Sequence, residues 1–285
     1  MRLKHLLKKI PFLMQIRYAQ LAFKAPLAEI VRTYRELSRY KGRYKGKRCF
    51  IIGNGPSLKG KDLDELKDEV TFAANKIYKI FPETVWRPTF YCVQDEKVLL
   101  DMDCEALKDV TNQSEKTFVR MQSFNLVQKN KIKLLNSLYL PIMKSAYKTD
   151  AAPFANLHGF YVYDGDTVTY ATMQLAAYMG FDEIFLIGMD HNFPFRMNSN
   201  GVVEINDLSV SSHFFDGAEN NYGENAAVMR SNNFEFVTAS YQNAEVYSRN
   251  NGTFRIYNAT RGGILEVFER VSLDEILGKE KGTHC

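Results

Sequence analysis

The sequence predicts an α/β protein with a Rossmann-like, doubly wound and mostly parallel sheet that has helices on both faces. After residue 46, short apolar runs alternate with helical stretches, and the first run leads into the turn GNGPS at 53–57. Strands that alternate with helices form parallel sheets, because a crossover must return the chain to the same edge. We expect this domain to span 47–285, after a basic amphipathic helical arm at 1–46.

The elements of the domain follow one another along the chain. Apolar runs predict strands at 49–53, 70–74, 89–93, 117–121, 183–188 and 254–257. Helical spacing of apolar residues predicts helices at 61–68, 76–81, 96–107, 167–179 and 225–248. The DMD triplet at 101–103 falls within the helix predicted at 96–107, and we expect it to lie on the solvent-exposed face of that helix. A polar stretch at about 191–224 is too long for an ordinary connection, which predicts a lid-like insertion.

The N-terminal arm is strongly basic. Residues 1–48 contain 14 of the 37 Lys and Arg residues but only two of the 33 acidic residues, Glu29 and Glu36. We expect helices broken near Pro11 and Pro26. Either the arm packs on the body with an exposed basic face, or it lies on an anionic membrane surface. No recognised nucleic-acid module accompanies the charge, so we expect no nucleic-acid partner.

The apolar runs and the cysteines of the sequence bear on where in the cell the protein lies. No run of about 18 uncharged apolar residues occurs, so we expect no membrane-spanning helix, and lysines interrupt every apolar stretch that could form a secretory signal. The four cysteines lack metal-ligand spacing, which argues against a structural zinc. We expect a cytoplasmic protein, with residues 1–46 as the part that could contact the inner face of the plasma membrane.

Polar residues follow the predicted strands where these end, at the edge where doubly wound sheets bind ligands. No Ser-His-Asp or Cys-His constellation occurs among them, so we do not expect covalent nucleophilic catalysis. The strand-end residues are GNGPS at 53–57, then Asn75, Gln94 and Asp95, then Asp190, His191 and Asn192, and finally Asn258, Thr260, Gly262 and Gly263.

The GNGPS turn has the features of an anion-binding turn. Gly53 and Gly55 lack Cβ atoms, so backbone N–H groups could approach a phosphate closely. Asn54 could bind phosphate or ribose, and Ser57 could cap the next helix. The third glycine of a GxGxxG fingerprint is replaced by Leu58 and no Walker lysine follows, which argues against dinucleotide and P-loop sites. A plain tight turn is the alternative interpretation.

A second polar turn, DGDTVT at 164–169, opens the helix predicted at 167–179. The hydroxyls of Thr167 and Thr169, the flexible Gly165 and the positive end of the helix dipole could hold a phosphate. Simple capping by Asp166 or Thr167 is the alternative. Two helix starts of this kind favour a nucleoside monophosphate or diphosphate site.

Two carboxylates and one histidine are candidates for chemistry. Asp95 and Asp190 could each ligate Mg²⁺, bind a ribose or cap a loop. His213 lies in the predicted lid, within SSHFFDG, and imidazole suits acid–base chemistry near neutral pH. A surface histidine without a catalytic role is the alternative for His213.

The motifs IIGNGPSL, FAANKIY, DGDTVTYATMQLAAYMGFDEIFLIGMDHN and NATRGGILEVFERV occur in this order. Through them, residues 47–273 resemble the MptE-like family. Its archaeal branch implies 6-hydroxymethylpterin diphosphokinase activity, which transfers pyrophosphate from ATP with Mg²⁺. The family also includes the central domain of motility-associated factor flagellin glycosyltransferases. That domain is similar to Campylobacter-type sialyltransferases, which use CMP-sialic acid without a metal-binding DxD motif.

The resemblance implies roles for individual residues. It implies that Asn54, Ser57 and Asn75 contact the nucleotide. Thr167 is retained from a Thr-Ser-Gly motif, and Asp190 matches the Asp that ends the GID motif. Two departures affect the chemistry: Asn192 stands where the sialyltransferases have tyrosine, and their catalytic lid histidine aligns near Gly217. His213 could take over that role.

The first interpretation is therefore a glycosyltransferase of surface-glycan assembly. It would use a nucleotide-activated sugar, with a CMP-type donor favoured, a glycan or lipid-linked acceptor, and no metal or other cofactor. The alternative is Mg²⁺-dependent pyrophosphoryl transfer to a pterin-like alcohol, with Asp95 and Asp190 as ligands. A nucleotide-sensing or scaffold protein is a third interpretation. The predicted catalytic residues are His213 and Asp190, and the predicted nucleotide-binding residues are Gly53, Asn54, Gly55, Ser57, Asn75, Asp95, Gly165, Thr167 and Thr169.

Overall fold

The computed structural model describes residues 25–144, 151–154, 161–192, 195–197, 203–205, 213–214 and 234–278. Within them, eight strands form one sheet in which every strand pair is parallel. Two further strand pairs are short: β6 with β7 is parallel, and β9 with β10 is antiparallel. The strands are β1 Arg48–Ile52, β2 Thr71–Ala74, β3 Phe90–Val93, β4 Lys116–Arg120, β5 Ser137–Leu140, β6 Ile142–Met143, β7 Val162–Tyr163, β8 Glu183–Ile187, β9 Phe195–Met197, β10 Val203–Ile205, β11 Arg255–Asn258 and β12 Glu269–Arg270.

The strand order in the large sheet is β12-β11-β8-β1-β2-β3-β4-β5. From β1 the chain moves outward through β2, β3 and β4 to β5. It then returns to the other side of β1 with β8 and continues to β11 and β12. The direction of winding therefore reverses between β1 and β8, which confirms the doubly wound, Rossmann-like prediction. Such a switch point is where open α/β sheets bind ligands, beyond the carboxyl ends of the strands.

Helices cover both faces of the sheet, as predicted. Two long helices pack on one face, and the shorter helices after β1, β2, β3 and β4 pack on the other. In chain order the helices are α1 Leu27–Ser38, α2 Gly60–Asp64, α3 Glu96–Leu100, α4 Cys104–Gln113, α5 Phe124–Lys129, α6 Val168–Met179, α7 Phe234–Asn251 and α8 Leu273–Ile276, with 3₁₀ segments at Asn75–Glu83 and Met121–Ser123.

The predicted arm does not extend to residue 46, because residues 25–46 belong to the body. Tyr44 stacks on Phe181 with ring centroids 4.6 Å apart, and Tyr40 meets Phe90 edge to face at 5.9 Å. In α1, the Arg32 guanidinium donates to the carbonyl oxygen of Ser137 in the edge strand β5 at 3.1 Å. Packing on the body, one of the two alternatives for the arm, is therefore correct for this part. Residues 1–24 lie outside the described residues.

Several predicted boundaries were wrong. The predicted helix 96–107 is two helices, because the Asp103 carboxylate accepts the Ala106 N–H and starts α4. The DMD triplet therefore lies between helices, and Asp101 pairs with the buried Lys76. The strands β5 and β12 and the helix α5 were not predicted. Part of the predicted helix 225–248 and most of the predicted lid lie outside the described residues. Among the residues that are described, no helix is long and apolar enough to cross a membrane.

Candidate functional site

The ends of β1 and β8 are bound directly to each other. The Gly53 N–H donates to the Ile187 carbonyl at 2.8 Å, and the Gly55 N–H donates to the Gly188 carbonyl at 2.9 Å. A Cβ on Gly53 would lie 2.3 Å from the Gly188 oxygen, so only glycine allows this approach. These two N–H groups are not available to an anion, because the Ile187 and Gly188 carbonyls accept them. Phosphate binding by the turn stays a prediction.

Asp190 joins three strand-end loops. Its Oδ2 accepts hydrogen bonds from the Ser57 hydroxyl at 2.8 Å and the Ser57 N–H at 3.3 Å. Its backbone carbonyl accepts the Ile264 N–H at 2.8 Å, which ties in the loop after β11. Gly55 and Gly263 pack so closely on Asp190 that a Cβ on either would collide with it. Asp190 Oδ2 is thus occupied by Ser57, and the catalytic role of Asp190 stays a prediction. Ser57 binds Asp190 and does not cap α2, which begins three residues later.

The start of α6 lies beside the same strand ends. Thr167 caps the helix by accepting the Thr169 N–H at 3.4 Å, which confirms the capping interpretation. The Thr169 hydroxyl lies 3.5 Å from the Met189 sulfur, and a Cβ on Gly53 would lie 2.7 Å from that sulfur. The Met189 side chain, which the sequence analysis did not single out, thus lies between the two predicted phosphate-binding turns. Both turns lie at the carboxyl edge of the sheet.

Three amide side chains follow three neighbouring strands at this edge. Asn54, Asn75 and Gln94 come after β1, β2 and β3, and each has a buried side-chain oxygen without a hydrogen-bond partner in the described part of the chain. The Asn54 amide nitrogen donates to the Ala74 carbonyl at 3.1 Å, so its oxygen is the group left to accept a hydrogen bond. Buried polar atoms without partners are rare, and a bound ligand is one explanation. Gln94 was noted only as a strand-end residue, although its position after β3 was the signal for a site role.

The DGDT turn carries an unfavourable charge. Gly165 and Asp166 both have left-handed backbone conformations, with φ of 51° and 56°. Burial and the neighbouring Asp164 carboxylate raise the pKa of Asp166 to about 6, while Lys144 opposes the shift. Asp166 therefore holds its proton up to a higher pH than an ordinary carboxyl group.

Two histidines flank the site. The His191 Nε2 lies 2.8 Å from the Thr238 hydroxyl, which itself donates to the Phe234 carbonyl, so Nε2 is the nitrogen that carries the proton. Burial lowers the pKa of His191 to about 4, which keeps the ring neutral at pH 7. The predicted base, His213, precedes Phe214, whose N–H donates to the Asn54 carbonyl at 2.9 Å. That hydrogen bond brings this part of the predicted lid to the GNGPS turn.

The predicted alternative magnesium ligands do not converge. The Asp95 carboxylate caps α3 by accepting the N–H groups of Lys97 at 2.7 Å and Val98 at 3.1 Å. Asp95 follows β3 and Asp190 follows β8, and β1 and β2 lie between these strands, which separates their ends by about 14 Å. One ion cannot bind both carboxylates. In the described ranges, no three His, Cys, Asp or Glu side chains form a metal-binding group.

Comparison with known sequences identifies a family. A model of the family described as "6-hydroxymethylpterin diphosphokinase MptE-like" matches residues 23–195. The matched range includes the GNGPS turn, the three amides, the start of α6 and Asp190. It begins close to α1, in agreement with the assignment of residues 25–46 to the body. A search of curated proteins gave no significant match.

The solved structures that match include, at low similarity, the MAf glycosyltransferase from Magnetospirillum magneticum AMB-1. The sequence identity is 15% and the TM-score is 0.46. The match covers 87% of this chain but 38% of that protein, so this chain spans less than half of the length of its neighbour.

Proposed function

The chain belongs to the MptE-like family, and from this premise we propose that it is a nucleotide-dependent transferase whose nucleotide binds at the switch point between β1 and β8. The observation that carries the proposal is the row of amide oxygens on Asn54, Asn75 and Gln94 beside the start of α6. Amide oxygens accept hydrogen bonds from ribose hydroxyls and base amino groups. The positive end of α6 suits a phosphate.

The first candidate activity is glycosyl transfer from a nucleotide-activated sugar, with a CMP-type donor favoured and a glycan or lipid-linked acceptor. The bond between the anomeric carbon and the donor phosphate breaks, and its electron pair leaves with the nucleotide. The acceptor oxygen bonds to the anomeric carbon, and His213 accepts the hydroxyl proton. The hydrogen bond from Phe214 to Asn54 supports this role, because it brings His213 next to the turn. Positioning and charge stabilisation at the leaving phosphate supply the remaining catalysis.

The second candidate is pyrophosphoryl transfer from ATP to a pterin-like alcohol, which the description of the family favours. That reaction uses Mg²⁺ to neutralise the phosphates. The separation of Asp95 and Asp190 argues against this pair as its ligands, so any bound ion would be held by other residues.

We also propose that the protein is cytoplasmic and contacts an anionic membrane peripherally, where a lipid-linked acceptor would lie. In α1, Leu27, Val31 and Tyr34 are spaced along one helix face and are 46%, 42% and 43% exposed. The two acidic side chains of the helix, Glu29 and Glu36, both pair with Arg32. The apolar face of α1 would thus meet an anionic lipid surface without strong repulsion from the acidic side chains of the helix.

Nucleotide specificity is tested by thermal unfolding with CMP, CDP, UDP, GDP and ATP, each with Mg²⁺ or with EDTA. Stabilisation by CMP in EDTA supports sugar transfer, and stabilisation by ATP that requires Mg²⁺ supports the diphosphokinase activity. A nucleotide at 100 times its Kd contributes about 2.7 kcal/mol. The Asn54→Ala variant should lose the effect, whereas Asn112→Ala, an exposed residue of α4, should keep it. No stabilisation by any nucleotide would contradict the proposal.

The role of His213 is tested by release of CMP from CMP-N-acetylneuraminic acid. The His213→Ala variant should bind CMP with unchanged Kd but react about 10²-fold to 10⁴-fold more slowly, which is the usual contribution of general base catalysis. An unchanged rate would remove His213 from the mechanism. Binding of CMP without any turnover in the wild-type protein would favour the sensing or scaffold interpretation.

A further inference from the structure

The carboxyl end of β4 carries a partly buried cationic group that the nucleotide site does not use. Arg120 is the last residue of β4, and its Nε is buried without a hydrogen-bond partner. Across the described ranges, Arg120 takes part in no ion pair. Arg120 is only partly buried, so an anion from solvent can reach its guanidinium. A cation without an ion pair at the ligand-binding edge of the sheet is suited to bind such an anion.

One glutamine lies beside this arginine at the end of the neighbouring strand, and a second glutamine follows the arginine in the chain. Val93 of β3 pairs with Val119 of β4, so the next residues, Gln94 and Arg120, are neighbours. Side chains alternate along a strand, and both Cys92 and Phe118 belong to the core beneath α6, so Gln94 and Arg120 also face that side. Gln94 is 9% exposed, and its side-chain oxygen lacks a partner.

Gln122 completes the group. Its amide nitrogen donates to the Ile142 carbonyl at 2.6 Å, which fixes the orientation of the amide. Its oxygen is buried and, like that of Gln94, has no partner among the described residues. One guanidinium donor and two amide acceptors are therefore left unsatisfied at the ends of two neighbouring strands.

We propose that Arg120 and Gln122, together with Gln94 at the outer end of the amide row of the nucleotide site, form a second binding site, which holds the carboxylate or phosphate group of the second substrate. The inference rests on the proposed transferase function, which requires two substrates. A guanidinium binds an oxyanion through paired hydrogen bonds. The two amide oxygens accept hydrogen bonds from hydroxyl groups on or beside the anion. The second substrate is thus an acidic, hydroxyl-bearing compound, such as a sugar acid or a sugar phosphate.

The position of Arg120 separates this site from the nucleotide phosphate. β4 is three strands away from β1, which corresponds to about 14 Å at the carboxyl edge. The start of α6, where we place the phosphate, lies beside Met189 at the end of β8. A donor bound at the switch point would therefore leave Arg120 for the other substrate.

The test follows the side-chain Nε–H resonance of Arg120 by NMR while inorganic phosphate or acetate is added. The resonance is assigned by its loss in the Arg120→Lys variant. We expect a saturable shift with a Kd in the millimolar range, which persists with saturating CMP. Arg87 is the matched control, because its Nε is also buried without a partner but its Nη1 donates to the Thr84 and Trp86 carbonyls. Its resonance should stay in place.

Two outcomes would overturn the proposal. An Arg120 resonance that does not respond to either anion would show that no oxyanion site exists there. A response that CMP abolishes would assign Arg120 to the nucleotide phosphate instead. Because the titration without CMP does not depend on nucleotide binding, failure of the proposed nucleotide site would leave the result for Arg120 readable.

Discussion

Gly55 illustrates how one residue determines the arrangement of the site. A Cβ at this position would lie 1.9 Å from the Asp190 Oδ2 and 2.6 Å from the Gly188 carbonyl oxygen. Gly262 also faces Asp190, but a Cβ there would meet its nearest neighbours, Ser57 and Asp190, at 3.7 and 3.8 Å, which is ordinary contact. Gly55, unlike Gly262, is therefore required for the close junction of β1 and β8.

We predict that Gly55→Ala destabilises the protein by about 1–3 kcal/mol, the usual cost of overpacking, and weakens nucleotide binding. Gly262→Ala is the control and should change stability by much less. Urea unfolding of both variants measures the difference. Equal midpoints for Gly55→Ala and the wild-type protein would show that the junction of β1 and β8 can relax.

Asp166 is a second residue whose environment has a measurable consequence. Its pKa is raised to about 6, so between pH 4 and 6 the folded protein holds a proton that the unfolded chain has released. The stability gained from this proton is present at low pH and is lost as the pH rises through about 6. At pH 7 the charged carboxylate destabilises the turn beside Asp164.

We predict that Asp166→Asn stabilises the protein at pH 7, because it removes a charge that burial and the Asp164 carboxylate both disfavour. The expected gain is only about 1–2 kcal/mol, because partial exposure of the carboxylate screens this repulsion. Asparagine tolerates the left-handed backbone at φ 56°, so the replacement adds no strain. The gain should vanish below about pH 4. Thermal unfolding from pH 4 to 8 measures it, with the exposed Asp109→Asn as control. A pH-independent difference would contradict the assigned cause.

At the scale of elements, the loop after β11 is held by an arginine that bridges two helices. Arg261 donates to Asp62 of α2 and to Asp274 of α8, with distances between 2.9 and 3.0 Å. These bonds hold the loop that carries Gly262 and Gly263 over Asp190. The clamp therefore connects packing at the rim of the sheet to the geometry of the switch point.

We predict that Arg261→Lys loosens this loop, because an ammonium group cannot bind both carboxylates in the same fork geometry. The expected loss is about 1–2 kcal/mol, since the guanidinium is partly exposed. Hydrogen exchange of the Ile264 N–H, which bonds to the Asp190 carbonyl, should accelerate more than exchange in α6. Arg249→Lys, in an ion pair within α7, is the control. Equal acceleration in both variants would exclude a local clamp.

For the whole molecule, the exposed apolar face of α1 is the described part of the surface that we propose for membrane contact. Because Tyr40 and Tyr44 lie in the core, a deletion that tests this surface must stop at residue 24. A longer deletion would remove part of the body and unfold the protein. The membrane-binding residues can therefore be separated from the folding residues.

We predict that the protein sediments with phosphatidylglycerol vesicles and that removal of residues 1–24 abolishes this binding. Val31→Asp should weaken it several-fold, because the change removes apolar burial and adds repulsion. Val246→Asp, at an exposed position on α7, is the control. Sedimentation that neither variant reduces would contradict membrane contact through this face. Phosphatidylcholine vesicles should bind weakly in every case.

Local patterns in the sequence predicted the strands and the polar residues that follow them. Parallel strands are buried on both faces, so they appear as short apolar runs, and a residue such as Asn75 or Asp190 marks where each run ends. The capping of α6 by Thr167 followed from the same local information. These features depend on neighbours within a few residues, which is why the sequence alone was sufficient.

Tertiary structure alone decided what those residues bind. It brought β8 next to β1, so that the Gly53 and Gly55 N–H groups bond to β8 carbonyls rather than to an anion. It also placed Ser57 where it donates hydrogen bonds to Asp190, and it left Asp95 too distant from Asp190 for the two carboxylates to bind one ion. The physical reason is that a hydrogen bond between segments more than 100 residues apart depends on the order in which strands pack. Local periodicity determines where a strand lies in the chain, but it carries no information about which strand becomes its neighbour.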